Sequence, residues 1–217
     1  MKTKIILITA MFFLILVSFH EPKEVQAVQA TSKITVTNAL LPKANSEPRT
    51  KPITHIVIHF SSNVANNPKS PYQLQDIRKL YMQYGVSAHY MIGRKGEIYR
   101  LVPETQAAYH AGKGSLAYFP TYTNQLNQYS IGIELMAIGT KKEMSSMISP
   151  AVYNSVPLSN IGYTSAQYRS LTLLVDDITK RNHSIKKDRK HIIGHSEYAP
   201  GRKSDPGSLF QWSKIGF

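Results

Sequence analysis

The 217-residue sequence contains no cysteine, which excludes a disulfide framework, a thiolate nucleophile and any metal centre built on sulfur. Any metal has to sit on histidine and carboxylate. Acidic residues are scarce as well: 13 Asp and Glu face 26 Lys and Arg, a net charge of +13 that speaks for an anionic partner and is silent about the fold. Repeats and low-complexity tracts are missing. So are a basic helix and an aromatic RNA-binding motif, and the lysines come singly or in pairs such as Lys141-Lys142, so nucleic acid is not the expected partner. What is present suffices for a core, because 42% of the residues are hydrophobic and only 18% charged. The length fits one domain.

One apolar stretch stands out, and it is too short to cross a bilayer. Lys2 and Lys4 precede Ile5 to Phe19, fifteen residues broken by Thr9 and Ser18, whereas a span needs about 20. Val25-Gln26-Ala27 and Val28-Gln29-Ala30 then offer two small-residue cleavage sites. Residues 1–30 are therefore expected to be a secretory signal, leaving no stable membrane anchor once removed. Its loss takes three lysines and two glutamates, so the exported chain keeps +12. An exported cation of that size is expected to meet an anionic surface, such as lipid headgroups or an acidic bacterial cell wall.

Residues 31–52, with Pro48, Arg49, Lys51 and Pro52 and little periodicity, read as an ordered arm or a linker, and the domain proper as 53–217. Ile53 to Phe60 is β-branched and aromatic on both parities, the pattern of a central strand buried on both faces. Ser70-Pro71-Tyr72-Gln73 has the form of a capping box and predicts a helix over 71–84, ending at Gly85. Ser87 to Ile92 and Glu97 to Val102 flank Gly93-Arg94-Lys95-Gly96 as a hairpin, and Tyr129 to Met136 is a further strand. Thr164-Ser165-Ala166-Gln167 starts a second long helix, whose apolar face runs from Tyr168 to Ile178. His191 to Gly194 reads as a short strand and 196–207 as a loop. Segments 112–128 and 137–163 are long for loops and are expected to line a groove or to move. The class is α/β, a single domain with a central mixed β-sheet flanked by helices.

Six histidines lie on or at the ends of these strands: His55, His59, His89, His110, His191 and His195. A catalytic zinc takes three N/O ligands, and strand ends hold such ligands rigidly, but no HExxH is present and spacing alone does not choose among the six. Gly194-His195-Ser196-Glu197-Tyr198-Ala199-Pro200-Gly201-Arg202-Lys203-Ser204-Asp205-Pro206-Gly207 is more telling. It brings an imidazole, a cation and a carboxylate toward one point.

With Ile56-Val57-Ile58-His59, Ser87-Ala88-His89-Tyr90, Ala108-Tyr109-His110-Ala111-Gly112 and Ser130-Ile131-Gly132-Ile133-Glu134-Leu135, that loop completes a set of motifs in order. Over about residues 53–212 the chain resembles the type 2 zinc-dependent N-acetylmuramoyl-L-alanine amidases, the group that includes phage amidase-lysozymes and peptidoglycan recognition proteins. The resemblance implies one zinc on His59, His195 and Asp205, a catalytic carboxylate at Glu134 and a catalytic lysine at Lys203. It puts His89 and His110 near the cleft, behind the ligands or against substrate, with core hydrogen bonding as the other possibility. Some relatives carry a catalytic tyrosine where this chain has Ala88, so that assistance is not expected at this position. The implied activity is hydrolysis of the amide between the lactyl group of N-acetylmuramic acid and L-alanine in peptidoglycan. The alternative is a non-catalytic peptidoglycan-binding module, which in that group typically lacks a metal ligand.

Overall fold

The computed structural model describes residues 34–217, so the segment read as a signal lies outside the described residues. Six strands form one mixed sheet: β1 (Val36–Asn38), β3 (His55–Ser61), β4 (Tyr90–Ile92), β5 (Ile98–Arg100), β7 (Ser130–Met136) and β8 (Ile192–Gly194), in the order β1-β5-β4-β7-β3-β8. Only the β4–β5 hairpin is antiparallel; the other four pairings are parallel. A short ribbon pairs β2 (Ser46–Pro48) with β6 (Gln106–Ala108). The protein is thus a single α/β domain with a mixed sheet between helices.

The alternation of side chains along the central strands divides the core. Ile56, Ile58, Ile131, Ile133, Leu135 and Ile192 point to one face, where Tyr168, Leu171, Leu174, Val175 and Ile178 of α4 (Ser165–Arg181) cover them. The opposite face takes Ile77 and Tyr81 of α1 (Leu74–Tyr84) against Ala88, Met91 and Met136. Further along that face, Leu116, Leu126 and Tyr198 close over Val57 and Ile193. Both β3 and β7 are therefore sandwiched, which explains why apolar residues occupy both faces of each.

The capping box predicted for α4 is formed: Thr164 accepts from the Gln167 amide and the Gln167 side chain accepts from the Thr164 amide. The one predicted for α1 is not. Gln73 Nε2 donates to Ser70 Oγ at 3.0 Å, but Pro71 O accepts from Asn63 N and the segment turns, so the helix starts at Leu74. Its end at Gly85 is as expected, because φ +62° there suits a residue without a Cβ. The stretch 34–52 is an arm joined to the sheet, since β1 extends it at one edge and Arg49 reaches inward to donate to Glu104 O, Gln106 O, Gln128 O and Ser130 O. The long segments contain short helices: α2 (Leu126–Tyr129) in the first, α3 (Pro150–Asn154) in the second. The loop after β8 opens with one turn, α5 (His195–Tyr198). Among the described residues no helix is long and apolar enough to cross a membrane.

Candidate functional site

His59 sits near the carboxyl end of β3, and its register partner on the parallel strand β7 is Glu134. His195 follows directly on β8. The site thus gathers at the carboxyl ends of adjacent parallel strands, where open α/β sheets place their ligands. The loop beyond α5 returns Asp205 to the same point. His59 Nδ1 lies 3.0 Å from His195 Nδ1 and 2.8 Å from Asp205 Oδ2, and His195 Nδ1 is 3.1 Å from that same oxygen.

The hydrogen bonds behind these atoms decide where the protons are. Ser130 Oγ donates its only hydrogen to Leu126 O at 2.5 Å, so it must accept from His110 Nε2, 3.1 Å away. Neutral His110 then presents Nδ1 as an acceptor to His59 Nε2 at 3.0 Å. Burial, and next the neighbouring His195, lowers the His59 pKa to about 4; burial and His59 push His110 well below its usual value. Both rings are neutral at neutral pH, and His59 Nδ1 carries no hydrogen. His195 Nε2 faces Ala111 O at 2.9 Å and must donate to it, which turns Nδ1 of that ring toward the same point.

Two ring nitrogens and a carboxylate oxygen therefore converge at about 3 Å from one another. A cation bound by all three satisfies that arrangement. Ligands on a tetrahedral zinc with bonds of about 2.0 to 2.1 Å stand roughly 3.3 Å apart, close to these separations, and an N/N/O donor set suits that metal. The structure thus brings together the three predicted ligands, the one such group among the described residues.

A cleft of about 280 Å³ opens over them, lined also by Glu134, Lys203, Tyr81, His110, Arg202 and Met147. Glu134 is buried, and its Oε2 has no hydrogen-bond partner. Burial, then the charge of Asp205, pushes its pKa well above the usual carboxylate range, with Lys203 opposing. A cation on the triad would offset the Asp205 contribution.

The remaining histidines separate. His110 stands behind His59, and its ring lies flat against β7 because Gly132 makes room: a Cβ there would come within 2.5 Å of the His110 ring. His89 is fully buried and does not reach the triad. Its Nδ1 accepts from Gly132 N at 3.0 Å and its Nε2 faces Gln106 O at 3.1 Å, while burial and the Arg49 charge lower its pKa to about 3. Its ring meets that of His110 edge-on at 5.8 Å, so it holds the strand that carries Glu134. His55 and His191 stack on each other at 5.2 Å, with His191 tied to Asp188.

Ala88 is buried and offers no hydroxyl, as expected, but Tyr81 places one in the cleft from α1. In the sequence Tyr81, four residues after Ile77, is indistinguishable from a residue of an apolar helix face and gives no other signal. Arg202 carries no distinguishing signal either. It donates to Ala111 O at 2.8 Å, the carbonyl that also orients His195, and to Lys113 O.

Comparison with known proteins agrees with this geometry. A family model described as N-acetylmuramoyl-L-alanine amidase matches residues 49–208. The chain is 32% identical over 160 residues to the N-acetylmuramoyl-L-alanine amidase AmiD of Escherichia coli, covering 74% of this chain and 51% of that protein. It is 33% identical over 130 residues to the 1,6-anhydro-N-acetylmuramyl-L-alanine amidase AmpD of Citrobacter freundii, covering 60% and 55%. The match thus spans about half the length of these curated relatives. Among solved structures, AmpD superposes with a TM-score of 0.63 at 25% identity, over 85% of this chain and 94% of that one. AmiD from E. coli, in complex with the substrate anhydro-N-acetylmuramic acid-L-Ala-D-gamma-Glu-L-Lys, gives 0.55 at 28% identity, over 78% and 57%. A matched span reaching from the arm to the loop just beyond Asp205 encloses every residue of the cleft, and the chain belongs to the N-acetylmuramoyl-L-alanine amidase family.

Proposed function

We propose that the chain is a zinc-dependent amidase that cleaves the bond between the lactyl carbonyl of N-acetylmuramic acid and the amine of L-alanine in peptidoglycan. The observation that carries this reading is the convergence of His59 Nδ1, His195 Nδ1 and Asp205 Oδ2 as a metal-ligating group in a cleft that also holds Glu134 and Lys203. A zinc held there supplies Lewis acidity and lowers the pKa of a water to about 7.

The chain's own residues then divide the work. Glu134 takes a proton from the attacking water as its oxygen adds to the amide carbon. Lys203, which also lines the cleft, offers its ammonium to the oxygen that gains negative charge. The proton on Glu134 passes to the departing nitrogen, the C–N bond breaks, and the products are a lactyl carboxylate and a free alanine amine. His110 and Ala111 O act earlier, by keeping the ligand rings turned with Nδ1 inward.

Purified peptidoglycan incubated with the protein should release new N-terminal alanine, a zinc chelator should abolish the release and added zinc restore it. Release that survives exhaustive chelation, with zinc absent by elemental analysis, would sink the metal mechanism. Wall binding without any release would mark the chain as a binding module.

Export to the cell wall belongs to the same proposal, supported by the basic n-region, the short apolar stretch and the cationic surplus. Protein recovered from the medium is expected to begin at Val28 or Thr31, and its retention on purified wall to weaken with salt, since exposed charges are screened over about 8 Å at physiological ionic strength. An intact Met1 on the exported protein removes the signal reading, and retention indifferent to salt removes the electrostatic one.

A further inference from the structure

Two buried polar atoms in the cleft lack partners, and they are complementary. Tyr81 Oη and Glu134 Oε2 are each shielded from solvent and unbonded, although both side chains line the same cavity. A buried hydroxyl and a buried carboxylate oxygen are costly to leave unpaired, and one is a donor where the other only accepts. The two groups lie close enough that each raises or lowers the acidity of the other, with the Ser61 hydroxyl of β3 also facing the phenol.

The backbone that presents the phenol is firmly held. Tyr81 O accepts from Asn45 Nδ2 at 3.0 Å, from Val86 N at 3.1 Å and from the Gly85 amide at the end of α1. The ring is anchored in the cluster of Ile77, Ala88, Met91 and Met136, leaving only the side-chain tip to adjust. Such anchoring serves a group that must aim its hydroxyl, and the arm contributes to it through Asn45.

We infer that Tyr81 is a positioning residue for this reaction: its phenol donates a hydrogen bond to Glu134 Oε2 and fixes the carboxylate in the orientation from which it takes the water's proton. The inference rests on the amidase reading above. It adds a residue on α1 to a site otherwise built from strand ends and loops. Tyr81 touches neither substrate nor metal in this role and acts through Glu134 alone.

The test is Tyr81→Phe, which keeps the ring and its apolar contacts and deletes one oxygen. Turnover on peptidoglycan should fall about tenfold or more, the loss expected for a hydrogen bond to a charged group, with KM within about twofold of the parent. Zinc content should stay at the parental level, and the melting temperature should stay close to the parent's, because the ring keeps its apolar contacts. In a Glu134→Gln background the same substitution should cost nothing further. Parental kcat in Tyr81→Phe overturns the inference, as does an equal fold-loss in both backgrounds, which would make Tyr81 independent of Glu134. Loss of zinc or of thermal stability along with kcat would make its role structural and overturn it too. Should Glu134→Gln itself turn over at the parental rate, it is the assignment of the base that fails, a result recognisable before Tyr81 is altered.

Discussion

Asp205→Ala is expected to empty the metal site. The carboxylate is the only anionic ligand of the three, and without it only two ring nitrogens, His59 Nδ1 and His195 Nδ1, remain 3.0 Å apart. Zinc per chain should drop to near zero at concentrations that saturate the parent, and amide hydrolysis should vanish with it. Stability should fall as well. A metal that binds only the folded state contributes about 2.7 kcal/mol when present at 100 times its dissociation constant, so the variant should melt lower than the parent and at the temperature of the chelated parent. His59→Ala should behave alike. His110→Ala is the instructive contrast, since it removes the acceptor that turns His59 and no ligand atom: a loss of about 10- to 100-fold in metal affinity or rate is expected, with activity recoverable at high zinc. Zinc content, melting temperature and alanine release, measured side by side, decide the matter. Full zinc in Asp205→Ala would mean that the ligand set is wrong.

Those ligands were legible through the family resemblance, whose motifs lie on strands and the loop after β8; the strand pattern alone left six histidines open, His55 and His59 on β3 among them. The parallel register then places His59 beside Glu134. The α4 cap was legible from its own residues, its two reciprocal hydrogen bonds spanning only Thr164 to Gln167. Where distant parts decide the outcome, local pattern fell short. The Ser70–Gln73 pair forms as side chains, yet Asn63 claims the Pro71 carbonyl and delays the helix. Strands of three residues, such as β1 and β2, are too short to display a period, so the arm showed only its prolines and charges. Tyr81 and Arg49 take their roles wholly from tertiary placement. One lies on an apolar helix face that meets the cleft, the other in an arm whose guanidinium reaches the carbonyls beneath His89 and His110.

Glu134→Gln separates metal binding from catalysis. Glutamine matches glutamate in size, so the packing of β7 is retained, and it has no role among the ligands, so zinc should stay at the parental level. The amide cannot take a proton from water and deliver it to nitrogen. Turnover should therefore drop by about 10² to 10⁴-fold, the range a general acid–base group contributes, while affinity for peptidoglycan changes little. Stability should move the other way. Glu134 is buried with an unpaired oxygen, and burial penalises the ionised form that proton transfer from water requires; a neutral amide carries no such penalty. A variant that is nearly inactive, fully metallated and at least as stable as the parent is the signature of a residue kept for chemistry at the expense of the fold. Lys203→Ala should share the full zinc content and lose about 10² to 10³-fold, as for one oxyanion donor. Near-parental turnover in Glu134→Gln would hand the proton transfer to another group, and the buried carboxylate would then need a structural explanation that its unpaired oxygen does not supply.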